Sequence, residues 1–223
     1  MKDVSAVVFD AYGTLFNLNA MAELAQNLGD RAFVLNDLWR RKQLEYTWLR
    51  SLTGQHADFL QVTGEALDYA MEALGLHDPA LRVRLVGAYL TPTAYPEASA
   101  VLETLKGAGL GRVILSNGAP AMLASGTAAA GLAPLLDAVL SVEKAGVFKP
   151  HPSVYDLACK QFGLPPGKIA FVSSNGWDVA GAAAFGFRVA WVNRAGLPRE
   201  RLPSGPEAVI PDLSTLPALL GLI

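Results

Sequence analysis

Short runs of apolar or β-branched residues recur along the chain at 4–9, 112–115, 138–141, 169–172 and 189–192. Between them, residues 119–130, 152–162 and 177–185 carry the periodicity of helices. Alternation of this kind argues against hairpins, because a parallel strand can be reached from its neighbour only through a crossover, usually a helix. It predicts an α/β protein, a Rossmann-like parallel sheet covered by helices on both faces. The first run stands apart from the others, since it ends at Phe9 and the next begins at Arg112. The stretch from Asn17 to about Thr91 is helical in pattern, with one helix over residues 38–49 and another over 66–74. An all-helical insert directly after the first strand reads as a cap subdomain at 17–91, leaving residues 1–16 and 92–223 as the core. Residues 197–206 are rich enough in proline to form a surface loop ahead of a last short strand and helix.

Composition narrows the function classes. A chain of 223 residues with 52% hydrophobic residues, 17% charged residues and a net charge of −2 can bury a sizeable core. That charge offers no electrostatic reason to bind nucleic acid or an anionic membrane. No apolar stretch approaches the roughly 20 residues of a membrane span. The N-terminal apolar run, interrupted at Asp10, is too short for a signal peptide, so a cytoplasmic location is expected. The single cysteine, Cys159, excludes an intrachain disulfide and reads as a buried thiol within a helix. His56, His77 and His151 are scattered without metal-ligand spacing and read as surface or capping residues.

Polar constellations follow the strand-like runs. Asp10 closes the run Val7-Val8-Phe9 and opens the turn Asp10-Ala11-Tyr12-Gly13-Thr14. A carboxylate beyond the carboxyl end of a strand lies where open α/β proteins place reactive groups, which makes Asp10 a candidate nucleophile. Ser116-Asn117-Gly118 follows Val113-Ile114-Leu115, and Ser173-Ser174-Asn175-Gly176-Trp177-Asp178 follows Ile169-Ala170-Phe171-Val172. Lys149-Pro150 lies between them, with Tyr155 close behind. Each group alone is ordinary turn chemistry. Their shared position at strand ends points to one site.

The ordered set resembles the haloacid dehalogenase-like superfamily. The segment Leu38-Trp39-Arg40-Arg41-Lys42-Gln43-Leu44-Glu45-Tyr46-Thr47-Trp48-Leu49-Arg50, with Ser173 to Asp178, is similar to its (S)-2-haloacid dehalogenase branch over nearly the whole chain. The resemblance implies a Rossmann-like core with a helical cap, an aspartyl-ester mechanism, no metal or other cofactor, and a homodimer. The residues agree with that branch on their own chemistry. Phosphatase relatives carry an acid two positions after the nucleophile and paired acids near the fourth strand that help hold Mg²⁺. This chain has Tyr12 at the first place, and Ser173, Ser174 and Asn175 ahead of a single carboxylate, Asp178, at the second. A halide leaves without a proton, so displacement at carbon needs only a carboxylate in line and a cation behind the leaving atom.

Arg40 is the candidate cation. It shares a helix face with Leu44 and Trp48, whereas Arg41 has Glu45 at i+4 as a surface partner; the competing reading pairs Arg40 with Asp37. Asn117 and Trp177 would complete a halide cradle. Asp10 would displace halide from C2 of a 2-haloalkanoate, and water would then attack the Asp10 carboxyl carbon, so configuration inverts. Asp178 is the candidate base for that water, with Asn175 placing it, or else only the anchor of Lys149. Lys149 would hold both carboxylates ionised, Ser173 and Tyr155 would orient the network, and Thr14 would fix the nucleophile loop. The substrate carboxylate would meet the Ser116 hydroxyl and the backbone N–H groups of Ala11, Tyr12 and Asn117. Leu44, Phe59 and the Tyr12 ring would wall the alkyl side, although Trp48 and Phe59 also read as packing residues. Rival readings are a Mg²⁺-dependent phosphatase on the same fold and a non-catalytic module that binds organic anions.

Overall fold

The computed structural model describes residues 1–18 and 24–222. Each expected run becomes a strand of one parallel sheet: β1 (Ala6–Phe9), β4 (Gly111–Ser116), β5 (Ala138–Ser141), β6 (Ile169–Ser173) and β7 (Arg188–Val192). The sheet is closed on one side by β8 (Ala208–Ile210), which follows the Pro-rich loop. Its strand order is β5-β4-β1-β6-β7-β8, and every pair in it is parallel. The central β1 is covered on both faces, and all four of its residues are buried. Such a strand needs an unbroken apolar run rather than alternation, which is what Ala6-Val7-Val8-Phe9 supplies.

Register explains why the polar groups gather. Phe9 lies opposite Ile114 and Val172, and Ser116 lies opposite Ser141. Asp10, Asn117 and Ser173 therefore emerge along the same carboxyl edge of the sheet. Asp10 is still tied to it, donating its backbone N–H to Val172 O at 2.9 Å. The turn that follows needs Gly13, whose φ of 88° is left-handed, and a Cβ there would stand 3.0 Å from Ser174 Oγ.

The insert begins at a two-stranded antiparallel ribbon, β2 (Phe16–Asn17) with β3 (Thr93–Ala94), in which Phe16 pairs with Ala94. Between these strands lie α1 (Arg31–Thr53), α2 (Phe59–Ala73) and α3 (Pro79–Ala88). The sequence pattern underestimated α1 and α2 and did not resolve α3. Asp58 and Asp78 cap α2 and α3 by accepting from Gln61 N at 2.9 Å and Leu81 N at 2.8 Å. Gly54, at φ 67°, stops α1.

The buried stripe of α1 is Leu35, Trp39, Gln43 and Thr47, one residue away from the expected face of Arg40, Leu44 and Trp48, which is half-buried. The expected partner of Arg41 is also corrected. Arg41 pairs with Asp37 at 2.9 Å, and Glu45 pairs instead with Lys42 at 3.0 Å. An acid N-terminal to a base at i, i+4 is the better orientation, and Asp37–Arg41 has it while Arg41–Glu45 does not.

The core helices are α4 (Ala98–Gly107), α5 (Pro120–Ala129), α6 (Pro152–Phe162), α7 (Gly176–Phe185) and the short α8 (Leu216–Leu220). The helix α4 is an addition to the elements expected from the sequence. Cys159, on α6, is half-buried rather than buried. His151 caps α6 as expected, accepting from Ser153 N. His56 is neither a cap nor a surface residue: it is half-buried against Glu143 at 3.0 Å and packs at a tilt against the Phe148 ring. No described helix is long and apolar enough to cross a membrane.

Candidate active site

Asp10 is 6% exposed and its two oxygens have different partners. Oδ1 accepts from Lys149 Nζ at 3.2 Å. Oδ2 accepts from Thr14 Oγ1 at 3.1 Å and Asn175 Nδ2 at 2.9 Å. Thr14 Oγ1 itself accepts from Ser174 N at 2.9 Å and lies 3.2 Å from Ser174 Oγ. The nucleophile loop and the loop after β6 are thus locked to each other through the hydroxyl of Thr14.

Lys149 is fully buried, and its ammonium bridges Asp10 and Asp178, with 2.9 Å to Asp178 Oδ2. A buried cation must have such company to remain charged. Burial works against the Lys149 ammonium, but Asp178 and Asp10 more than offset it and hold its pKa above the usual lysine value. Asp178, on α7, is buried as well, and burial raises its pKa against the opposing pull of Lys149. Its Oδ1 accepts from Tyr155 Oη at 2.8 Å. Tyr155 belongs to α6 and can reach α7 because Gly181 stands there: a Cβ would lie 2.6 Å from the Tyr155 oxygen and 2.5 Å from Pro150 Cβ. Burial, with Asp178 beside it, keeps Tyr155 protonated far beyond the ordinary phenol range.

Asn175 carries the two sides of the site. Its Nδ2 faces Asp10 Oδ2 and, at 3.4 Å, the backbone oxygen of Tyr12, while its Oδ1 accepts from Arg40 Nη2 at 3.1 Å. Ser173 is completely buried and fixes this loop by accepting from Asn175 N at 3.1 Å. Two oxygens that could share a divalent cation therefore converge on an N–H donor, and Lys149 supplies the positive charge nearby. This donor set does not fit a divalent metal. Among the described residues, no group of three or more His, Cys, Asp or Glu is placed to hold one.

Tyr12 is turned away from acid–base work. Its hydroxyl donates to Tyr89 O at 3.0 Å, and burial, with Tyr89 and Asp10 beside it, pushes its pKa far above the ordinary phenol value. Its ring meets Phe16, Phe59 and Tyr89. Phe59 is buried and also touches Phe148, so packing is its evident contribution.

On the other flank, Asn117 Oδ1 accepts from Lys149 N at 3.1 Å, and Ser116 Oγ accepts from Gly118 N at 3.1 Å. Among the described residues, no hydrogen bond occupies the backbone N–H of Ala11, Tyr12 or Asn117. Trp177 packs edge-on against Trp48 with centroids 5.7 Å apart. Neither buried indole N–H has an acceptor among the described residues. Leu44 lies half-buried on the α1 edge that carries Arg40 and Trp48.

The structure thus joins Asp10, Thr14, Lys149, Tyr155, Ser173, Asn175, Asp178 and Arg40 in one hydrogen-bonded array. It does not link Leu44 to that array. Several contributors went unread in the sequence. Ser141 donates to Gly118 O at 2.7 Å, and its position at a strand end opposite Ser116 was the available signal. Arg194 donates to Thr14 O at 3.2 Å and pairs with Glu97 at 2.6 Å, and nothing local marks it. Gln43 holds Arg40 and is itself bonded to Thr63 and Tyr89, and only the polar character of Gln43 in the middle of the helix hinted at this.

A carboxylate at the carboxyl end of a central parallel strand, bridged by a buried lysine to a second carboxylate beside a helical insert, marks the site of an α/β hydrolase. The chain belongs to the haloacid dehalogenase-like hydrolases, whose family description matches residues 4–186. It is 44% identical over 222 residues to (S)-2-haloacid dehalogenase 1 of Pseudomonas sp. (strain CBS-3), covering 99% of this chain and 98% of that one. Among solved structures, an L-2-haloacid dehalogenase matches with a TM-score of 0.96 at 41% identity, covering 99% of this chain and 100% of that one. The L-2-haloacid dehalogenase of Xanthobacter autotrophicus, solved with chloropropionic acid covalently bound, matches with a TM-score of 0.88 at 42% identity, covering 97% of this chain and 98% of that one.

Proposed function

We propose that the chain is an (S)-2-haloacid dehalogenase that hydrolyses short (S)-2-haloalkanoic acids to (R)-2-hydroxyalkanoic acids through an ester on Asp10. The observation that carries this reading is the inward-turned Arg40, whose guanidinium lies one residue, Asn175, away from Asp10. The substrate carboxylate sits against the Ser116 hydroxyl and the N–H groups of Ala11, Tyr12 and Asn117. Asp10 attacks C2 from the face opposite the halide, forming the C–O bond as the carbon–halogen bond breaks. The departing anion is received by Arg40, Asn117 and Trp177. Water then adds to the Asp10 carboxyl carbon and gives a proton to Asp178, whose raised pKa makes it a stronger base than a solvated aspartate; the bond from that carbon to the C2 oxygen breaks, and the proton returns from Asp178 to the departing alkoxide, freeing the 2-hydroxy acid and the Asp10 carboxyl group. Lys149 and Tyr155 hold Asp178, while Ser173 and Asn175 hold the loop beside the ester. Thr14 holds the nucleophile, and Leu44, Phe59 and Tyr12 enclose the alkyl side.

In this reading residues 17–91 act as the cap over a core of 1–16 and 92–223, which the paired crossing segments β2 and β3 support. No cofactor takes part. A homodimer formed through the cap helices belongs to the proposal, supported by Phe33, Leu52 and Val83, which are 78%, 83% and 67% exposed. So does a cytoplasmic location, supported by a sole cysteine that leaves no intrachain disulfide.

Single-turnover incubation with (S)-2-chloropropionate in H₂¹⁸O tests the chemistry. Label is expected in the Asp10 peptide after one turnover, and product labelled directly from water over an unlabelled Asp10 would refute the ester route.

A further inference from the structure

The positive charge of Arg40 is held in place by neutral groups. Its Nη1 donates to Gln43 Oε1 at 2.6 Å and its Nη2 to Asn175 Oδ1 at 3.1 Å. Among the described residues it has no carboxylate in ion-pair contact, unlike Arg41, Arg50 and Arg112, each of which has one. Gln43 itself is completely buried, as is Thr63. Its Nε2 donates to Thr63 Oγ1 at 2.7 Å, and Thr63 in turn donates to Phe59 O at 2.6 Å. Because the hydroxyl proton of Thr63 is committed to Phe59, Thr63 can only accept from Gln43. This fixes which end of the amide is nitrogen and aims Oε1 at Arg40. Tyr89, kept neutral by burial, donates to the same Oε1 at 3.4 Å.

The hydrogen bonds close into a circuit. Tyr12 donates to Tyr89 O, Tyr89 reaches Gln43, Arg40 joins Gln43 to Asn175, and Asn175 returns to the Tyr12 backbone oxygen and Asp10. A glutamate in place of Gln43 would have the same size and reach and would give the guanidinium a permanent counter-ion. The amide gives direction without neutralisation.

We propose that Gln43 is a positioning residue that aims the Arg40 guanidinium at the leaving halide while preserving its full charge for that anion. The inference rests on the dehalogenase reading of Arg40. A carboxylate 2.6 Å from Arg40 would compete with every anion arriving at the guanidinium. The effect falls on halide capture and on the carbon–halogen bond-breaking step, and not on hydrolysis of the ester, in which no anion leaves toward Arg40.

The test uses the full chain and the variants Gln43→Glu and Gln43→Met. It reads chloride release from (S)-2-chloropropionate, inhibition by added bromide and the thermal midpoint. Gln43→Glu is expected to lower kcat/KM about 100-fold, the scale of losing one group that stabilises developing charge. Bromide inhibition should weaken about tenfold, and the rate of ester hydrolysis in a pre-formed intermediate should hold. A merely structural role would move the thermal midpoint and leave bromide inhibition and the ratio of the two steps untouched. Should Gln43→Glu fail to fold, Gln43→Met decides: weaker bromide inhibition with slower ester formation supports the inference, and parental values overturn it. An active parent whose variants keep parental bromide inhibition overturns this inference alone. A parent that releases no chloride overturns the dehalogenase reading and the inference together.

Discussion

Replacing Lys149 by Met removes a charge and keeps most of the side-chain volume, leaving Asp10 and Asp178 buried with no cation between them. At an effective dielectric constant of about 20, the attraction is about 5 kcal/mol for the 3.2 Å contact to Asp10 and about 6 kcal/mol for the 2.9 Å contact to Asp178. Desolvation of the three charges opposes this sum in the parent. The net cost of deleting one member of such a buried array is about 3–5 kcal/mol.

The cost depends on pH in a definite direction. The Asp178 pKa is already raised by burial and is lowered by Lys149, so removing Lys149 raises it further. A carboxyl group whose folded pKa lies above its unfolded value of about 3.9 contributes stability below that value and loses it as pH rises through the folded pKa. Urea denaturation of Lys149→Met should therefore show a larger deficit at pH 8 than at pH 5, with no ester formed at either. A deficit that is the same at both pH values would refute the bridging-charge account, as would wild-type stability at pH 8.

Tyr155→Phe deletes a donor to the buried Asp178 and should cost about 1.5–3 kcal/mol in urea melts. Because that hydrogen bond favours the ionised carboxylate, the acid limb of kcat should move to higher pH; an unmoved limb would separate Asp178 from the rate. Asn175→Asp places a second carboxylate 2.9 Å from Asp10 Oδ2, and dehalogenation should fall about 100-fold or more. Calorimetry should then detect Mg²⁺ binding that the parent lacks, and a variant with no affinity for Mg²⁺ would contradict the geometry assigned to Asn175. Tyr12→Phe loses only the bond to Tyr89 O, so stability should drop about 1 kcal/mol with kcat changed less than about tenfold. A collapse of kcat would mean that the phenol does take part in proton transfer.

Strand ends were the most legible part of this sequence. Buried parallel strands demand continuous apolar runs, and the polar residues that interrupt them, Asp10, Ser116 and Ser173, fall on one edge by register alone. Long-range partners were less accessible, because Arg40 meets Asn175 across 135 positions and Lys149 meets Asp10 across 139. No local pattern encodes such distances: the pairing of Lys149 with Asp10 was an expectation of the sequence reading, whereas the contact of Arg40 with Asn175 was not. The rotation of α1 by one residue was hidden because Gln43 and Thr47 are polar yet fully buried, which shifts the apparent apolar face onto Leu44 and Trp48. The helix at Ala98–Gly107 buries Ala98, Val101, Leu102 and Leu105, a helical spacing that the sequence carries just ahead of the stronger strand signal at residue 112.

The ribbon Phe16–Asn17 with Thr93–Ala94 has a consequence for how such proteins diversify. The chain leaves the sheet layer and returns to it at neighbouring points, so everything between is a parenthesis in the topology. A lineage can lengthen, shorten or exchange that parenthesis without cutting a strand-to-strand connection. New specificities can then be tried over the same Asp10 and Lys149 without re-inventing the machinery beneath.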